Sequence, residues 1–352
     1  MNQAGKERRW ALLSLLLLGM WFSLLVMYRQ GPLIRKVVSV RDTVFGLQKE
    51  NHGVKQVILL TQMRSGSSFT GHLLMAASST FYTEEPVREF LGAEPTTLDE
   101  TAAAIALLRD ISLCRFSARP DYYERRLLGT HHHNPDTVRL CYDSNQVCRD
   151  PATNEALCLA ARVRLTRVVS LDLAALTPLL RDPDLTLYII HLVRDPRGTL
   201  ASRQDLRKYF DEKARNMSAV CSRYRRDLHT ADVFKASHPD RYIFLRYEDL
   251  SLHTSQNLLR LYRTLDLPYT AVVSAAVARH TLGYSGNTNN SYGTFRNSSA
   301  TVFQWRKRLS FAEVTRVQQE CQDVMLSYGY RIFTSHQEYQ DPGVQVLLTN
   351  TS

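Results

Sequence analysis

The sequence lacks the compositional signs of several large protein classes. It has no internal repeat and no low-complexity tract, and only 15 of its 352 residues are glycine and 12 are proline. Hydrophobic residues make up 44% of the chain and charged residues 22%. This composition excludes collagen-like repeats, wholesale disorder and a multi-span membrane protein. The length is sufficient for one large domain or two ordinary ones.

Acidic residues are too few to balance the basic ones. The chain has 44 lysines and arginines against 34 aspartates and glutamates, which gives a formal net charge of +10. An excess of positive charge favours anionic partners. Nucleic acid, lipid headgroups, phosphorylated cofactors and acidic glycans are the candidate classes.

Long hydrophobic runs are scarce, and a single one has membrane-spanning length. Residues 10–28 form a run of 19 residues without a charge. A helix of this length spans about 28 Å, close to the hydrocarbon core of a bilayer. The run exceeds the apolar region of a cleaved signal peptide, and no A-x-A-like cleavage site follows it. It therefore predicts a transmembrane signal anchor.

The features downstream of the anchor predict a type II membrane protein with a lumenal body. Sequons begin at Asn216, Asn289, Asn297 and Asn350, and the cysteines are Cys114, Cys141, Cys148, Cys158, Cys221 and Cys321. Together they favour an oxidising compartment. The predicted segments are a cytosolic tail at 1–9, the anchor at 10–28, a stem at 29–54, a lumenal domain at 55–335 and a C-terminal tail at 336–352.

Short apolar runs alternate with helical patterns through the lumenal part. Residues 56–61, 186–193 and 242–246 read as buried strands, and helices are expected from Ser67, from Pro196 and over 255–264. Ser310 and Glu313 form a capping box that opens a further helix. This alternation predicts an α/β domain with a mostly parallel central sheet flanked by helices.

The first strand–loop–helix unit has the composition of a phosphate loop. Gly66 lets the backbone approach an anion closely, Ser65, Ser67 and Ser68 supply hydroxyl groups, and Arg64 supplies a charge. The loop is not a Walker A motif, because it lacks the G-x-x-x-x-G-K-[ST] pattern. The alternative is an ordinary serine-rich helix cap.

A second unit offers another candidate anion site. Arg194 ends the strand at 186–193, and Ser202 follows eight residues later in the second turn of a helix that Asp195 caps. This spacing allows a guanidinium and a hydroxyl to converge on a second phosphate. The alternative is a surface ion pair beside an unrelated serine.

These motifs resemble the Golgi carbohydrate 6-O-sulfotransferases that act on galactose, N-acetylgalactosamine and N-acetylglucosamine. The similar segments are MRSGSSFTGHLL (63–74), FYTEEPV (81–87), HLVRDPRGTLASR (191–203), FLRYEDL (244–250) and YGTFRNSSATVFQWRKRLSFAEV (292–314). The last segment is most similar to the keratan sulfate galactose and chondroitin 6-O-sulfotransferases. The resemblance implies a P-loop-like sulfotransferase fold, a lumenal catalytic domain in the Golgi membrane, and transfer to a sugar 6-hydroxyl.

The resemblance also implies the donor 3′-phosphoadenosine 5′-phosphosulfate, with no metal. Arg194 and Ser202 would hold its 3′-phosphate, and Arg296 would be a further phosphate ligand. The residues expected to hold the 5′-phosphosulfate are Arg64, Ser65, Gly66, Ser67, Ser68 and Phe69. Of these, Arg64 is also a candidate catalytic residue.

Glu85 is the candidate general base, because it lies in the family's aromatic-Glu-Pro segment. Glu84 and Glu89 replace an aromatic residue and a histidine that the family usually carries there. The first of these departures leaves Glu84 open as the base instead. The alternative interpretation is that Glu85 is only a carboxylate at the start of a helix, beside Pro86.

The expected partners are an anionic glycan or glycosaminoglycan and, through 10–28, the membrane, but no nucleic acid. A groove for the glycan is expected from Arg162, Arg164, Arg167, Arg203, Arg207 and Lys208. A homodimer is one candidate oligomeric state. A lumenal nucleotide-dependent kinase and a non-catalytic glycan-binding relative are the alternative functions.

Two disulfides are expected. Cys221 and Cys321 are predicted to pair, and a second bridge is predicted within the cluster of Cys141, Cys148 and Cys158. A glycan on Asn297 would hinder a loop that closes over the donor, so Asn297 is expected to be unmodified or outward-facing.

Overall fold

The computed structural model describes residues 53–77, 80–91, 95–120, 122, 150–205, 216–282 and 297–348. None of the helices in these ranges is long and apolar enough to cross a bilayer. The predicted anchor at 10–28 lies outside the described residues, as do most of the predicted stem and Asn289, Asn350 and Arg296.

Five parallel strands form one sheet. They are β1 (Lys55–Thr61), β2 (Thr80–Glu84), β3 (Val163–Val168), β4 (Leu187–Val193) and β5 (Tyr242–Arg246). The spatial order is β2-β3-β1-β4-β5, and every neighbouring pair is parallel. The carboxyl ends of all five strands therefore lie at one edge of the sheet, where ligands bind in folds of this type.

The connections between strands are helical. The helices are α1 (Ser67–Met75), α2 (Pro86–Leu91), α3 (Leu98–Ser112), α4 (Pro151–Ala160), α5 (Thr177–Leu180), α6 (Pro196–Gln204), α7 (Met217–Ser237), α8 (Tyr247–Leu252), α9 (Thr254–Thr264), α10 (Ala271–Thr281), α11 (Ser298–Thr301), α12 (Phe311–Ser327) and α13 (His336–Gln340). Two predicted starts are confirmed: Asp195 caps α6 ahead of Pro196, and the Ser310–Glu313 box opens α12.

Helices cover both faces of the sheet. On one face, Val57 and Leu59 of β1 belong to a buried cluster with Leu73 of α1. On the other, Ile58 and Leu60 share a cluster with residues of α3, α5 and α7. A strand buried on both faces reads as a continuous apolar run, and this is why β1 and β4 were visible in the sequence. The predicted α/β class and parallel sheet are confirmed.

Strand β3 corrects the predicted basic groove. Arg164 lies on this strand and donates to the carbonyl oxygen of Ser112 at 2.9 Å. Arg167 lies on it as well and is buried, with 4% of its surface exposed. Arg203 is also buried and donates to Met63 O. These three arginines therefore bond the protein itself rather than line a solvent groove, and 207 and 208 lie outside the described residues.

The domain extends beyond the predicted boundary at residue 335. Tyr339 of α13 is buried and donates to Leu309 O at 2.8 Å. Val346 is buried too, and its carbonyl oxygen accepts from Arg331 N at 2.8 Å. Residues 336–346 are therefore part of the packed domain and not a separate tail, because they complete an apolar cluster around Trp305.

The predicted Cys221–Cys321 disulfide is confirmed, and the structure contains a second one that was not predicted. Cys221 of α7 bonds Cys321 of α12. Cys158 of α4 bonds Cys114. Cys141 and Cys148, the other members of the cluster that was predicted to hold a bridge, lie outside the described residues. The pairing follows the packing, since Cys114 and Cys158 share a buried cluster at the end of α3.

Candidate active site

The loop between β1 and α1 has an unusual backbone. Arg64 and Gly66 have φ angles of 72° and 88°, in the left-handed region that favours glycine. A Cβ at Gly66 would collide with the ring of Tyr247. Gly66 also caps α1 without a side-chain hydrogen bond. The amide groups of the first turn of α1 therefore remain available for an anion, as helix geometry leaves them without intrahelical partners.

The loop between β4 and α6 is fixed by a buried ion pair. Asp195 accepts from the backbone N–H of Arg197 at 2.9 Å and pairs with its guanidinium at 2.8 Å. That guanidinium lies 4.5 Å from the centre of the Trp305 ring. Trp305 is buried.

The two loops are in direct contact. Arg194 Nη1 donates to the carbonyl oxygen of Arg64 at 2.8 Å. Arg64 Nε in turn donates to Ser202 Oγ at 3.0 Å. The structure therefore brings together four of the predicted donor-binding residues, Arg64, Gly66, Arg194 and Ser202, at the carboxyl ends of β1 and β4.

Tyr224 of α7 joins the two loops from behind. Its hydroxyl accepts from Arg194 N at 3.3 Å and lies 3.5 Å from Ser65 Oγ. Burial raises the pKa of Tyr224, so this hydroxyl stays protonated. Ser65 is fully buried and faces Tyr224, so its side chain supports the loop. Phe69 is likewise in the core.

One donor at the site has no hydrogen-bond partner among the described residues. Arg194 Nε is buried and makes no hydrogen bond within the described part of the chain. The guanidinium of Arg194 lies 4.6 Å from the centre of the Tyr247 ring, which holds it in place. An unsatisfied buried N–H of arginine fits a phosphate oxygen well, so the residues present suit an anionic nucleotide.

Arg167 links the first loop to the candidate bases. Its guanidinium contacts Ser67 Oγ and Ser68 Oγ on α1. It also contacts both carboxylates, Glu85 Oε1 at 2.7 Å and Glu84 Oε1. Burial alone would lower the pKa of Arg167, but Tyr82, which is ionised at the high pH where arginine titrates, and the carboxylates of Glu84 and Glu85 raise it overall. The arginine therefore keeps its charge between the loop and the carboxylates.

Glu85 combines strain with partial exposure. Its φ angle of 43° is unusual for a residue with a side chain. The exposed fraction of its side chain is 19%, compared with 13% for Glu84. Strained residues cluster at functional sites because the surrounding structure must hold them there.

Sequence reasoning missed Glu248, which supports the second loop. Glu248 is fully buried, accepts from Asp195 N at 3.1 Å and accepts from the Tyr330 hydroxyl at 2.7 Å. Burial, with a smaller effect from Asp195, raises the pKa of Glu248 to about 7. In the sequence, Glu248 lies within the family-like segment 244–250 and two residues after a predicted strand, a position that commonly carries function in parallel sheets.

The asparagines of the two sequons in the described ranges are exposed and cap helices. Asn216 Oδ1 accepts from Ser218 N at 2.9 Å at the start of α7. Asn297 Oδ1 accepts from Ala300 N at 3.0 Å at the start of α11. In both asparagines the side-chain oxygen, and not the amide nitrogen, makes the helix-capping hydrogen bond. Both residues are exposed.

Comparison with known proteins identifies the family. Residues 54–329 match the sulfotransferase domain family. The chain belongs to this family.

Carbohydrate sulfotransferase 1 of Rattus norvegicus is 28% identical, with 86% of this chain and 85% of the relative covered. Carbohydrate sulfotransferase 5 of Mus musculus is 29% identical, with 92% of each covered. Among solved structures, the sulfotransferase domain of the Synechococcus PCC 7002 olefin synthase matches with a TM-score of 0.47 and 16% identity over 81% of this chain and 98% of that one.

Proposed function

We propose that the protein transfers a sulfuryl group from 3′-phosphoadenosine 5′-phosphosulfate to the 6-hydroxyl of a sugar in a glycan or proteoglycan chain. The family match supports sulfuryl transfer, and the similarity to carbohydrate sulfotransferases over most of the chain supports a sugar acceptor. Galactose, N-acetylgalactosamine and N-acetylglucosamine are the acceptor sugars that the sequence resemblance implies.

A single observation carries the proposal: the two anion-binding loops touch. The Arg194–Arg64 and Arg64–Ser202 hydrogen bonds of 2.8 and 3.0 Å support the proposal that one nucleotide contacts both loops. A donor with phosphates at both ends needs two anion sites at such close range. Positioning and charge neutralisation are the main requirements of this class of transfer.

The residues divide between the two ends of the donor. The first-turn amides of α1, with the hydroxyl groups of Ser67 and Ser68, would hold the 5′-phosphosulfate. Arg194 and Ser202 would hold the 3′-phosphate, and Arg64 lies between them. The donor itself supplies the activated sulfuryl group.

Glu85 is the proposed general base, in preference to Glu84. Both carboxylates contact Arg167, but Glu85 is the more exposed and has the strained backbone. Arg167 fixes one oxygen of Glu85, so Arg167 is a positioning residue for the carboxylate. The carboxylate would accept the proton of the acceptor hydroxyl.

The proposed location is the Golgi membrane, with residues 10–28 as a type II anchor and the catalytic domain in the lumen. The Cys221–Cys321 and Cys114–Cys158 disulfides support an oxidising compartment. The proposed acceptor is an anionic glycan, and a homodimer is the proposed assembly.

An acceptor panel tests the activity and the base together. The purified full-length protein is incubated with sulfur-labelled donor and keratan, chondroitin and N-acetylglucosamine-terminated acceptors. Sulfate is expected at a 6-position in disaccharide analysis, and Glu85→Gln is expected to lower kcat by about 10²–10⁴-fold. Glu84→Gln is the matched control, and both variants should still bind 3′-phosphoadenosine 5′-phosphate.

Two results would contradict the proposal. Absence of label on every carbohydrate acceptor would overturn the activity. Normal turnover by Glu85→Gln, with a loss in Glu84→Gln, would move the base to Glu84.

A further inference from the structure

A groove runs along the free edge of the sheet. Strand β5 is the edge strand, with β4 on one side and no strand partner on the other among the described residues. Beside it lies a cavity of about 750 Å³ lined by β5, α7, α9 and the end of α12. We call this cavity the β5 groove.

The β5 groove is predominantly basic. Its charged lining residues are Lys235, Arg246, Asp249, Arg260 and Arg263. The side chains of Arg246 and Asp249 neutralise each other through hydrogen bonds of 2.6 and 3.0 Å. Lys235 pairs with Asp232 of its own helix at 3.4 Å. The positive charges without a carboxylate partner among the described residues are therefore those of Arg260 and Arg263.

Helix α9 presents most of this charge. His253, just before the helix, and Gln256, Arg260 and Arg263 recur at three- and four-residue intervals and line the groove. Leu258 and Leu261 are buried in the core instead. Such spacing gives an amphipathic helix with one polar face. Arg260 and Arg263 are exposed and have no ion-pair partner within the described ranges.

The groove is separate from the reacting centre. Strands β2 and β5 are the two edges of the sheet, four strand spacings or about 19 Å apart. Glu85 follows β2, whereas the groove lies along β5. Both strands end at the same edge of the sheet, and Tyr247, the residue after Arg246, packs against Gly66 of the donor loop. A chain seated in the groove therefore starts close to the donor site.

We propose that the β5 groove binds an anionic glycan chain, sulfated or carboxylated, at sugars remote from the one that reacts. This inference rests on the proposed function for the acceptor class. A concave site with the unbalanced charges of Arg260 and Arg263, and with hydrogen-bond donors such as Gln256, is complementary to a flexible polyanion bearing hydroxyl groups. A flat membrane surface would not reach into it. Binding here would raise the affinity for long acceptors without changing the chemistry.

The arginines of α9 provide the test. Binding of chondroitin sulfate chains of defined length to the full-length protein is measured by calorimetry at two salt concentrations. Arg260→Ala/Arg263→Ala is expected to weaken binding about tenfold at low salt and to raise KM for chains by the same factor. The kcat and KM for a disaccharide acceptor should be unchanged. The matched control is Arg279→Ala/Arg316→Ala, which removes two exposed helix arginines outside the groove.

The outcomes separate this inference from the proposed function. If the Arg260→Ala/Arg263→Ala variant and the Arg279→Ala/Arg316→Ala control bound chondroitin sulfate equally well, the β5 groove would not be the glycan-binding site. Binding of carboxyl-reduced, desulfated chondroitin, phosphatidylserine vesicles or single-stranded DNA with the same dependence on Arg260 and Arg263 would also overturn the inference. Chain binding that needs these arginines, in a protein that transfers no sulfate, would support the groove and overturn the proposed function.

Discussion

Arg167 shows how one buried side chain can connect two parts of a site. It contacts the hydroxyl groups at the start of α1 and both candidate bases. Its residue type suits this task, because a planar guanidinium can bond several acceptors at fixed angles. The donor loop and the base would therefore be aligned by the same group.

Removing this arginine should cost both stability and activity. Arg167→Met removes the buried cation that Glu84 and Glu85 share. It is expected to lower the free energy of unfolding by about 3 kcal/mol. The kcat of the folded fraction should fall because Glu85 loses its orientation. Urea unfolding and steady-state kinetics measure the two effects.

Arg164→Met is the matched control on the same strand. Arg164 donates to Ser112 O and does not contact the loop or the glutamates. It should lose stability but keep kcat per folded molecule. If both variants lost kcat equally, Arg167 would have only a structural role.

Glu248 makes the stability of the protein depend on pH. Its folded pKa of about 7 lies above the ordinary value of 4.5, so its contribution is full below pH 4.5 and is lost as the pH rises through 7. Relative to Glu248→Gln, the wild type should lose about 3 kcal/mol across this window. Chemical unfolding at several pH values checks the difference between the two proteins. A parallel pH dependence in both would contradict the assignment.

The site residues that could be predicted from the sequence are those that lie within local motifs. Arg64, Arg194 and Ser202 stand in strand–loop–helix patterns, and the structure places them together. Arg167 and Glu248 act through partners far away in the chain. Such contacts leave no local pattern, so their roles could not be predicted.

At the scale of elements, α1 depends on the glycine at its start. Gly66 needs a left-handed backbone and leaves no room for a Cβ beside Tyr247. Gly66→Ala is expected to destabilise the fold by at least about 1–2 kcal/mol. It should also weaken binding of 3′-phosphoadenosine 5′-phosphate, as the first-turn amides of α1 shift. Thermal unfolding and calorimetry measure these effects.

Gly53→Ala is the control for this change. A Cβ at Gly53 would meet no atom within 4 Å, so stability and nucleotide affinity should both be unchanged. If Gly66→Ala bound 3′-phosphoadenosine 5′-phosphate with unchanged affinity, α1 would not be part of the anion site.

The strands that were predicted differ physically from those that were missed. β1 and β4 are apolar runs that are buried on both faces. β5 is a shorter, partly buried apolar run, and its composition marked it as well. β3 carries Arg164 and Arg167, and its polar residues hid a strand that lies between β2 and β1. From the sequence alone, a strand arginine whose guanidinium group bonds buried protein groups cannot be distinguished from one that faces solvent.

At the scale of the whole molecule, disulfides join elements that are distant in the chain. Cys221–Cys321 ties α7 to α12 over a separation of 100 residues, and Cys114–Cys158 spans 44. Replacing the first pair by alanine is expected to cost about 4 kcal/mol of unfolding free energy, and the second slightly less. Urea unfolding under non-reducing conditions ranks the two. A larger loss from the Cys114–Cys158 pair would contradict the loop-entropy argument.

The parallel topology explains why the site forms where it does. β1 and β4 are neighbours in the sheet, so the loops that follow them meet at one edge although they are far apart in sequence. The alternation of strands and helices predicted a parallel sheet, but not the strand order. That order depends on long-range packing and emerged only from the structure.

Both loops are proposed to hold one nucleotide, with Arg194 at the 3′-phosphate. Calorimetric titration with 3′-phosphoadenosine 5′-phosphate and with adenosine 5′-phosphate tests this proposal directly, in the wild type and in Arg194→Ala. The account predicts that the wild type prefers the bisphosphate by about 10–100-fold and that Arg194→Ala loses this preference. Affinity for adenosine 5′-phosphate should change little. A preference for the bisphosphate that survives in Arg194→Ala would contradict the account.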